Sequence, residues 1–138
     1  MGNLNNGALE RNDSRRVALV TGGSRGIGRA CAVGMAEDGF DIAVVYAGSV
    51  DAARETCEAC EAVGAAARAY QCDVADPATV NACVEAILSD FGSIWALVNN
   101  AGITRDGLLL RMSEADFDAV LNANLKGAFL CCKEAARR

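Results

Sequence analysis

The stretch RVALVTGGSRGIGRACAVGMAEDG, residues 16–39, decides the fold. Its first six residues are a short apolar run rich in β-branched side chains, the pattern of a strand covered on both faces. Glycines follow at once, and IGRACAVGMAEDG then reads as a helix that closes at Gly39. The order is strand, turn, helix. In that position TGGSRGIG (21–28) has the form of a phosphate-binding turn. Gly22 can turn sharply, Gly26 can let the backbone approach a pyrophosphate, Gly28 can bring helix and strand together, and the helix N-terminus faces the anion. Taken alone, the glycine cluster also fits a plain tight turn; its place between strand and helix favours the phosphate.

The alternation continues along the chain. DIAVVYA (41–47) reads as a second strand, residues 50–63 as a helix ending near Gly64, and AAARAYQCDV (65–74) as a third strand. Asp76 and Pro77 supply an N-cap and a proline at the first helical position, opening a helix to about Phe91. SIWALVNN (93–100) reads as a fourth strand, and Ser113 with Asp116 forms an S-x-x-D box before a final helix. Near-continuous apolar strands between helices predict an α/β protein, a parallel sheet in a three-layer αβα arrangement. Right-handed crossovers give the doubly wound strand order 3-2-1-4, the first half of such a fold without its second half.

Composition narrows the function. The 138 residues suit one domain, and a net charge of -5 without a basic stripe argues against nucleic acid. No apolar run approaches the ~18 residues of a membrane span. MGNLNNGALERNDS (1–14) lacks the apolar region of a signal peptide and reads as a disordered leader, leaving 15–138 as the domain. Asn6 occupies the position where a myristoylation motif wants Ser or Thr. A soluble, cytoplasmic protein is expected. Seven cysteines, an odd number, do not make a disulfide framework. Cys57 and Cys60 form a C-x-x-C, but they lie in the helical pattern DAARETCEACEAV, without histidine or a second ligand pair. They read as small core or semi-exposed residues and no metal is expected; Cys31, Cys83, Cys131 and Cys132 likewise stand where Ala or Val would serve in helices.

At the end of the second strand an acid would hold the ribose 2′-hydroxyl of NAD. Ala47 is there instead, flanked by Tyr46, Gly48 and Ser49, while Arg25 in the glycine loop is placed to attract a 2′-phosphate. This favours NADP(H). Arg25 could equally be a solvated surface arginine, and Asp51 lies just beyond the strand. In the final helix Phe117, Leu121, Ala128, Cys131 and Ala135 recur at the spacing of one buried face, with Asn124 in its middle. A buried amide there needs partners, since an unpaired one costs about 1–3 kcal/mol.

Three segments, TGGSRGIG, CDV (72–74) and NNAG (99–102), resemble the short-chain dehydrogenase/reductase family over residues 16–138. NNAGITRDGLLLRM continuing into NANLKGAFL is similar to its branch that reduces 3-oxoacyl thioesters of acyl carrier protein, with acetoacetyl-CoA reductases next. The resemblance implies a Rossmann-type fold and an NADPH-dependent oxidoreductase of fatty acid biosynthesis that acts on an acyl thioester as a homo-tetramer. It also implies a cofactor site of Gly22, Ser24, Arg25, Gly26, Ile27 and Gly28 in the loop and Tyr46, Ala47 and Ser49 after the second strand. Asp73 and Val74 would contact the adenine, and Asn99, Asn100, Ala101 and Gly102 would line the nicotinamide ribose. Read from the residues alone, Asp73 also fits a helix or loop cap and NNAG a turn. Asn124 resembles the asparagine of the family's Asn-Ser-Tyr-Lys tetrad, which holds a water in the proton relay; Asn122 is the other candidate, and an amide that only bridges backbone groups is the plain alternative.

The family's Tyr-x-x-x-Lys has no counterpart: Tyr46 is followed four positions on by Val50, and Tyr70 by Val74. The expectation is a fragment that carries the cofactor half without the catalytic Ser, Tyr and Lys, inactive alone and marginally stable or self-associating because its fourth strand is an apolar edge. Two other readings stand beside it, a non-catalytic NADP(H)-binding module and a subunit-interaction module.

Overall fold

The computed structural model describes residues 15–137, so the leader expected over residues 1–14 lies outside the described residues. Four parallel strands, β1 (Arg16–Thr21), β2 (Phe40–Tyr46), β3 (Ala67–Gln71) and β4 (Ala96–Val98), form one sheet in the order β3-β2-β1-β4. The connecting helices are α1 (Gly26–Glu37), α2 (Val50–Ala62) and α3 (Pro77–Phe91), followed by α4 (Glu114–Leu121) and α5 (Gly127–Ala136).

Side chains of a strand alternate between faces, so each buried strand feeds two cores. Ala18, Val20, Ile42 and Val44 pack with Ala32 and Ala36 of α1 and Ala53, Cys57 and Cys60 of α2. Val17, Leu19, Ala43 and Val45 pack on the other face with Val80, Cys83, Val84 and Ile87 of α3 and Leu130 and Cys131 of α5. This is the three-layer αβα arrangement. Of the core and semi-exposed places the helical pattern allowed, Cys57 and Cys60 take the core; burial, first, pushes their thiols up to about 12 and about 11, which keeps them protonated and unreactive. Cys132 lies in α5, as its helical pattern implied, and is exposed.

Two buried ion pairs fix the sheet to its surroundings. Arg15 Nε donates to Asp41 Oδ1 at 3.0 Å, and the same oxygen accepts from Ala66 N at 2.9 Å just before β3. Arg68 of β3 reaches Asp90 of α3 at 2.9 Å, and the Tyr70 hydroxyl donates to Asp90 Oδ2 at 2.6 Å. Each carboxylate therefore keeps both its charge partner and a further donor, which a buried charge requires.

The helix starts follow their sequence signals. Ser49 caps α2 through Ala52 N at 3.2 Å, and Asp76 caps α3 through Ala78 N and Thr79 N, with Pro77 next. Ser113 accepts from Asp116 N at 3.0 Å while its hydroxyl donates to Asp116 Oδ2 at 2.8 Å. Helix α1 differs from these three in having no side-chain cap, and, like α3, it has no acid in its first turn.

Three expectations need correction. The fourth strand is three residues long instead of the stretch 93–100, because its ladder on Ala18–Val20 ends where the Thr21 hydroxyl oxygen takes the N–H groups of Asn100 and Ala101 at 3.1 and 3.0 Å. The third strand is likewise shorter than 65–74. The final helix is not continuous: a π-helical turn, Asn122–Lys126, separates α4 from α5. Its apolar face is also not buried along its length, for Leu130 and Cys131 are in the core while Phe117 and Leu121 are 55% and 41% exposed. Among the described residues no helix is long and apolar enough to cross a membrane.

Candidate functional site

Because all four strands are parallel, Thr21, Tyr46, Gln71 and Val98 end at one edge of the sheet. The loops beyond that edge enclose a cavity of about 400 Å³. It is bounded by Gly22, Ser24 and Arg25 after β1, Val45 to Gly48 around the end of β2, Cys72, Asp73 and Val74 after β3, and Asn100, Ala101, Gly102 and Ile103 after β4; Ala123 completes it. The sequence-expected residues Gly22, Ser24, Arg25, Tyr46, Ala47, Asp73, Val74, Asn100, Ala101 and Gly102 thus meet at one cavity.

Others from the expected set do not line it. Gly26, Ile27 and Gly28 form the first turn of α1, where the Ile27 side chain is largely exposed and Gly28 is buried behind the loop. Ser49 spends its hydroxyl on the α2 cap. Asn99 turns away and donates to Cys132 Sγ at 3.3 Å. Val45, Gly48, Cys72, Ile103 and Ala123 line the cavity without having been singled out; each adjoins a residue that was, so chain continuity at the strand ends was the available signal.

A hydrogen-bonded knot holds the β1 and β4 loops together. Asn100 Nδ2 donates to the carbonyls of Thr21 and Gly22, both at 3.1 Å. The Thr21 hydroxyl donates to Val98 O at 3.3 Å while accepting from Asn100 N and Ala101 N. Sequence reasoning passed over Thr21, although it opens the TGG turn. The knot explains two glycines. Gly22 has φ +64°, and a Cβ there would sit 2.8 Å from Asn100 Nδ2. A Cβ on Gly28 would collide with the Gly22 carbonyl oxygen and lie 2.5 Å from Asn100 Nδ2.

The remaining walls are also fixed. Asp73 Oδ1 accepts from Ala75 N at 2.9 Å, so the loop-cap reading of this residue is part of its role. Gln71 Nε2 donates to Ala47 O at 3.1 Å, steadying the turn after β2. No carboxylate comes from that turn to the cavity: Asp51 lies outside its lining and pairs with Arg54 at 3.4 Å. Among the described residues no cluster of three His, Cys, Asp or Glu could hold a metal.

Asn124 is exposed, not buried on a seam. Its amide is satisfied nonetheless, accepting from Ile103 N at 2.8 Å and donating to Ile103 O at 3.0 Å. It stands beside the cavity, bracketing the loop that lines it, and Gly102 passes so close that a Cβ would be 3.1 Å from Asn124 Oδ1.

A nicotinamide dinucleotide fits this edge on three counts. The uncapped start of α1 leaves amide groups for an anion. The loop has no room for side chains at Gly22 or Gly28. The cavity volume falls within the roughly 300–1,000 Å³ of small-molecule sites.

Comparison with known proteins agrees with this geometry. The family model described as short chain dehydrogenase matches residues 16–138. The 3-oxoacyl-(acyl-carrier-protein) reductase FabG of Staphylococcus aureus is 51% identical over 118 residues, covering 86% of this chain and 48% of the relative. The 3-oxoacyl-(acyl-carrier-protein) reductase of Synechocystis is 47% identical over 122 residues, 88% of this chain and 49% of the relative. Among solved structures, a double mutant of a Serratia marcescens short-chain dehydrogenase/reductase superposes with a TM-score of 0.85 at 38% identity, covering 88% of this chain and 50% of that one. The chain spans about half the length of the curated relatives it matches.

Proposed function

The chain belongs to the short-chain dehydrogenase family, a family of oxidoreductases, and from that premise we propose that it is the cofactor-binding part of a reductase that uses NADPH on a 3-oxoacyl thioester. The observation that carries the cofactor half is the cavity at the carboxyl edge of the sheet, with Arg25 on its rim and no carboxylate in the turn after β2. In this reading the α1 amides and Gly22 receive the pyrophosphate, Arg25 and the Ala47–Ser49 turn receive the 2′-phosphate, Asp73 and Val74 border the adenine, and Asn100 to Gly102 border the nicotinamide ribose. Bound there, the nicotinamide would supply a hydride to a carbonyl carbon. The thioester substrate is supported by the names of the relatives at about half identity.

Reduction also needs a proton donor within hydrogen-bond reach of the carbonyl oxygen. Neither tyrosine of the 138 residues has a lysine four positions on, and Tyr70 is buried against Asp90. Asn124 is the one tetrad-type residue, and its amide is occupied by Ile103. These residues alone are therefore expected to bind NADPH without turning over. Fluorescence titration with NADPH and NADH, followed by an NADPH-oxidation assay with acetoacetyl-CoA, tests both parts. Saturable binding that prefers NADPH, without thioester-dependent oxidation, is the expected result; absence of binding removes the cofactor assignment, and robust turnover removes the assignment of the acid.

A second reading, a module that docks on another subunit, is favoured by the exposed side chains of Phe117, Leu121, Leu125 and Phe129. Sedimentation of the chain alone and with a full-length relative tests it: a monomer under both conditions removes it.

A further inference from the structure

Helix α5 opens on Gly127, which is buried and whose backbone is ordinary α-helix, at φ -58° and ψ -45°. That conformation does not ask for a glycine, and alanine is the better helix former. The reason for a glycine stands opposite it. A Cβ on Gly127 would lie 2.8 Å from Val74 Cγ2, 3.1 Å from Val74 Cβ and 3.2 Å from the Val74 carbonyl oxygen. Gly34, inside α1, has nothing within 4 Å of an added Cβ.

Neither side of this contact gives way easily. Valine is branched at Cβ and stiff at χ1, so its methyl group is not the far end of a flexible chain. The main chain around Val74 is tied down as well. Cys72 N donates to Tyr46 O at 2.9 Å, Asp73 O accepts from Asp76 N at 3.1 Å and from Thr79 Oγ1 at 2.7 Å, and Asp73 Oδ1 accepts from Ala75 N at 2.9 Å. Helix α5 is anchored in turn by Leu130 and Cys131, both in the core. Val74 lines the cavity and Gly127 does not, so the glycine stands behind the wall that Val74 makes. Three residues earlier the same stretch holds Ile103 through Asn124, and one short segment thus steadies the walls after β3 and β4.

We propose that Gly127 is a positioning residue of the nucleotide site, setting through Val74 how far the wall after β3 stands into the cavity. Its missing side chain leaves the space in which Val74 sits back; an alanine there moves Val74 and its carbonyl toward the cavity, because close-packed neighbours leave no other room. Val74 borders the adenine in the reading proposed above, and the consequence for affinity rests on that reading; the contact with Gly127 does not. The displacement leaves Arg25 in place, so NADPH and NADH should lose affinity by the same factor. A residue that reads the 2′-phosphate would change their ratio instead.

The test is a double-mutant cycle on the full chain with Gly127→Ala and Val74→Ala, and with Gly34→Ala as the control for alanine in a helix. The ligands are NADPH, NADH and adenosine 2′,5′-bisphosphate, the adenine half of the first. Gly127→Ala should weaken all three at least fivefold and keep the NADPH-to-NADH ratio, while Gly34→Ala changes none. With Val74 already alanine, adding Gly127→Ala should change affinity less than twofold. Without nucleotide, exchange of the Ala75 and Asp76 amides, which bond to Asp73, should accelerate at least fivefold in Gly127→Ala and return in the double variant. Affinity or exchange left unchanged by Gly127→Ala, an altered NADPH-to-NADH ratio, or a loss that persists when Val74 is alanine overturns the proposal. If Gly127→Ala does not fold, a double variant that also fails to fold overturns it. A parent chain that binds none of the three ligands overturns the cofactor reading, and amide exchange then decides the Gly127 contact by itself.

Discussion

Asn124 grips the main chain of Ile103 at both of its polar groups, accepting its N–H at 2.8 Å and donating to its carbonyl at 3.0 Å. The π-helical turn Asn122–Lys126 presents the amide, and Ile103 belongs to the wall of the cavity. The sequence distance of 21 residues is bridged by one side chain, which makes the turn between α4 and α5 part of the site although it contributes only Ala123 to the lining.

Replacing Asn124 with Ala should release that loop. Two hydrogen bonds are lost, each worth about 0.5–1.5 kcal/mol, so the expected destabilisation is about 1–2 kcal/mol in a urea melt. Amide exchange at Ile103 should accelerate more than exchange in β1 or β2. Asn124→Asp keeps the acceptor and loses the donor, so it should retain part of the protection at the Ile103 amide. Equal exchange in all three proteins would show that the bracket does not hold the loop.

The Thr21 knot should be more costly to break. Thr21→Val keeps the shape and removes the hydroxyl, leaving the Ala101 N–H without its acceptor while the Asn100 N–H retains Val98 O at 3.1 Å. An orphaned donor costs about 1–3 kcal/mol, which sets the expected loss near 2 kcal/mol, whereas Thr21→Ser should stay within about 1 kcal/mol of the parent. Denaturant midpoints that fall equally for Val and Ser would assign the effect to the methyl group instead.

Two glycines of one helix should respond with opposite signs. A methyl group on Gly28 has no room against the Gly22 carbonyl and Asn100, so Gly28→Ala should lower stability by about 1–3 kcal/mol and weaken NADPH binding more than tenfold. Gly34 lies in the interior of α1 with nothing within 4 Å of an added Cβ. Gly34→Ala should therefore stabilise by about 0.5–1 kcal/mol and leave binding unchanged. Calorimetric melts with and without NADPH separate the two.

How much of this was legible in the sequence depends on whether the cause was local. Helix α3 runs from Pro77 to Phe91 as expected, because Asp76 caps it and Gly92, at φ +81°, ends it. β1 also has its expected bounds, set by the glycine turn. β4 was overextended because its end is decided by the Thr21 hydroxyl, 79 residues earlier in the chain, and nothing in SIWALVNN signals that. The final helix misled for a similar reason. Periodicity states which residues share a face but not what covers it, and Phe117 and Leu121 are exposed while Gly127 is packed against Val74. The π turn had a faint local sign in two asparagines, poor helix formers, but the Ile103 bracket that occupies Asn124 is a tertiary contact.

Cofactor preference should turn on single charges at the cavity. Arg25→Ala removes the positive group from the rim, and since hydrogen bonds to charged groups are worth about 1.5–3 kcal/mol, NADPH should bind about tenfold more weakly with NADH little changed. Ala47→Asp restores the acid that a ribose 2′-hydroxyl accepts and a 2′-phosphate repels, so preference should move toward NADH. Parallel titrations with the two nucleotides read the ratio directly; an unchanged ratio in both variants would place 2′-phosphate recognition elsewhere.

The core thiols give the protein a pH limit on the alkaline side. Burial raises Cys57 to about 12, and Cys60 and Cys131 to about 11, from an ordinary value of 9.0. Above pH 9 the unfolded chain has lost these protons while the folded chain keeps them, so the unfolded state binds fewer protons and stability falls as pH rises. Their contribution is fully present below pH 9 and disappears as the folded values are passed. Each thiol adds a slope of about 1.4 kcal/mol per pH unit while only the unfolded form is ionised. Urea melts at intervals between pH 8 and 11 should show this decline. Replacing Cys57 and Cys60 together with Ala should flatten it by about two-thirds of the three-thiol slope. A decline of unchanged steepness in that double variant would mean that other groups set the limit, with Tyr70, whose hydroxyl is also raised by burial and by its bond to Asp90, the next to remove.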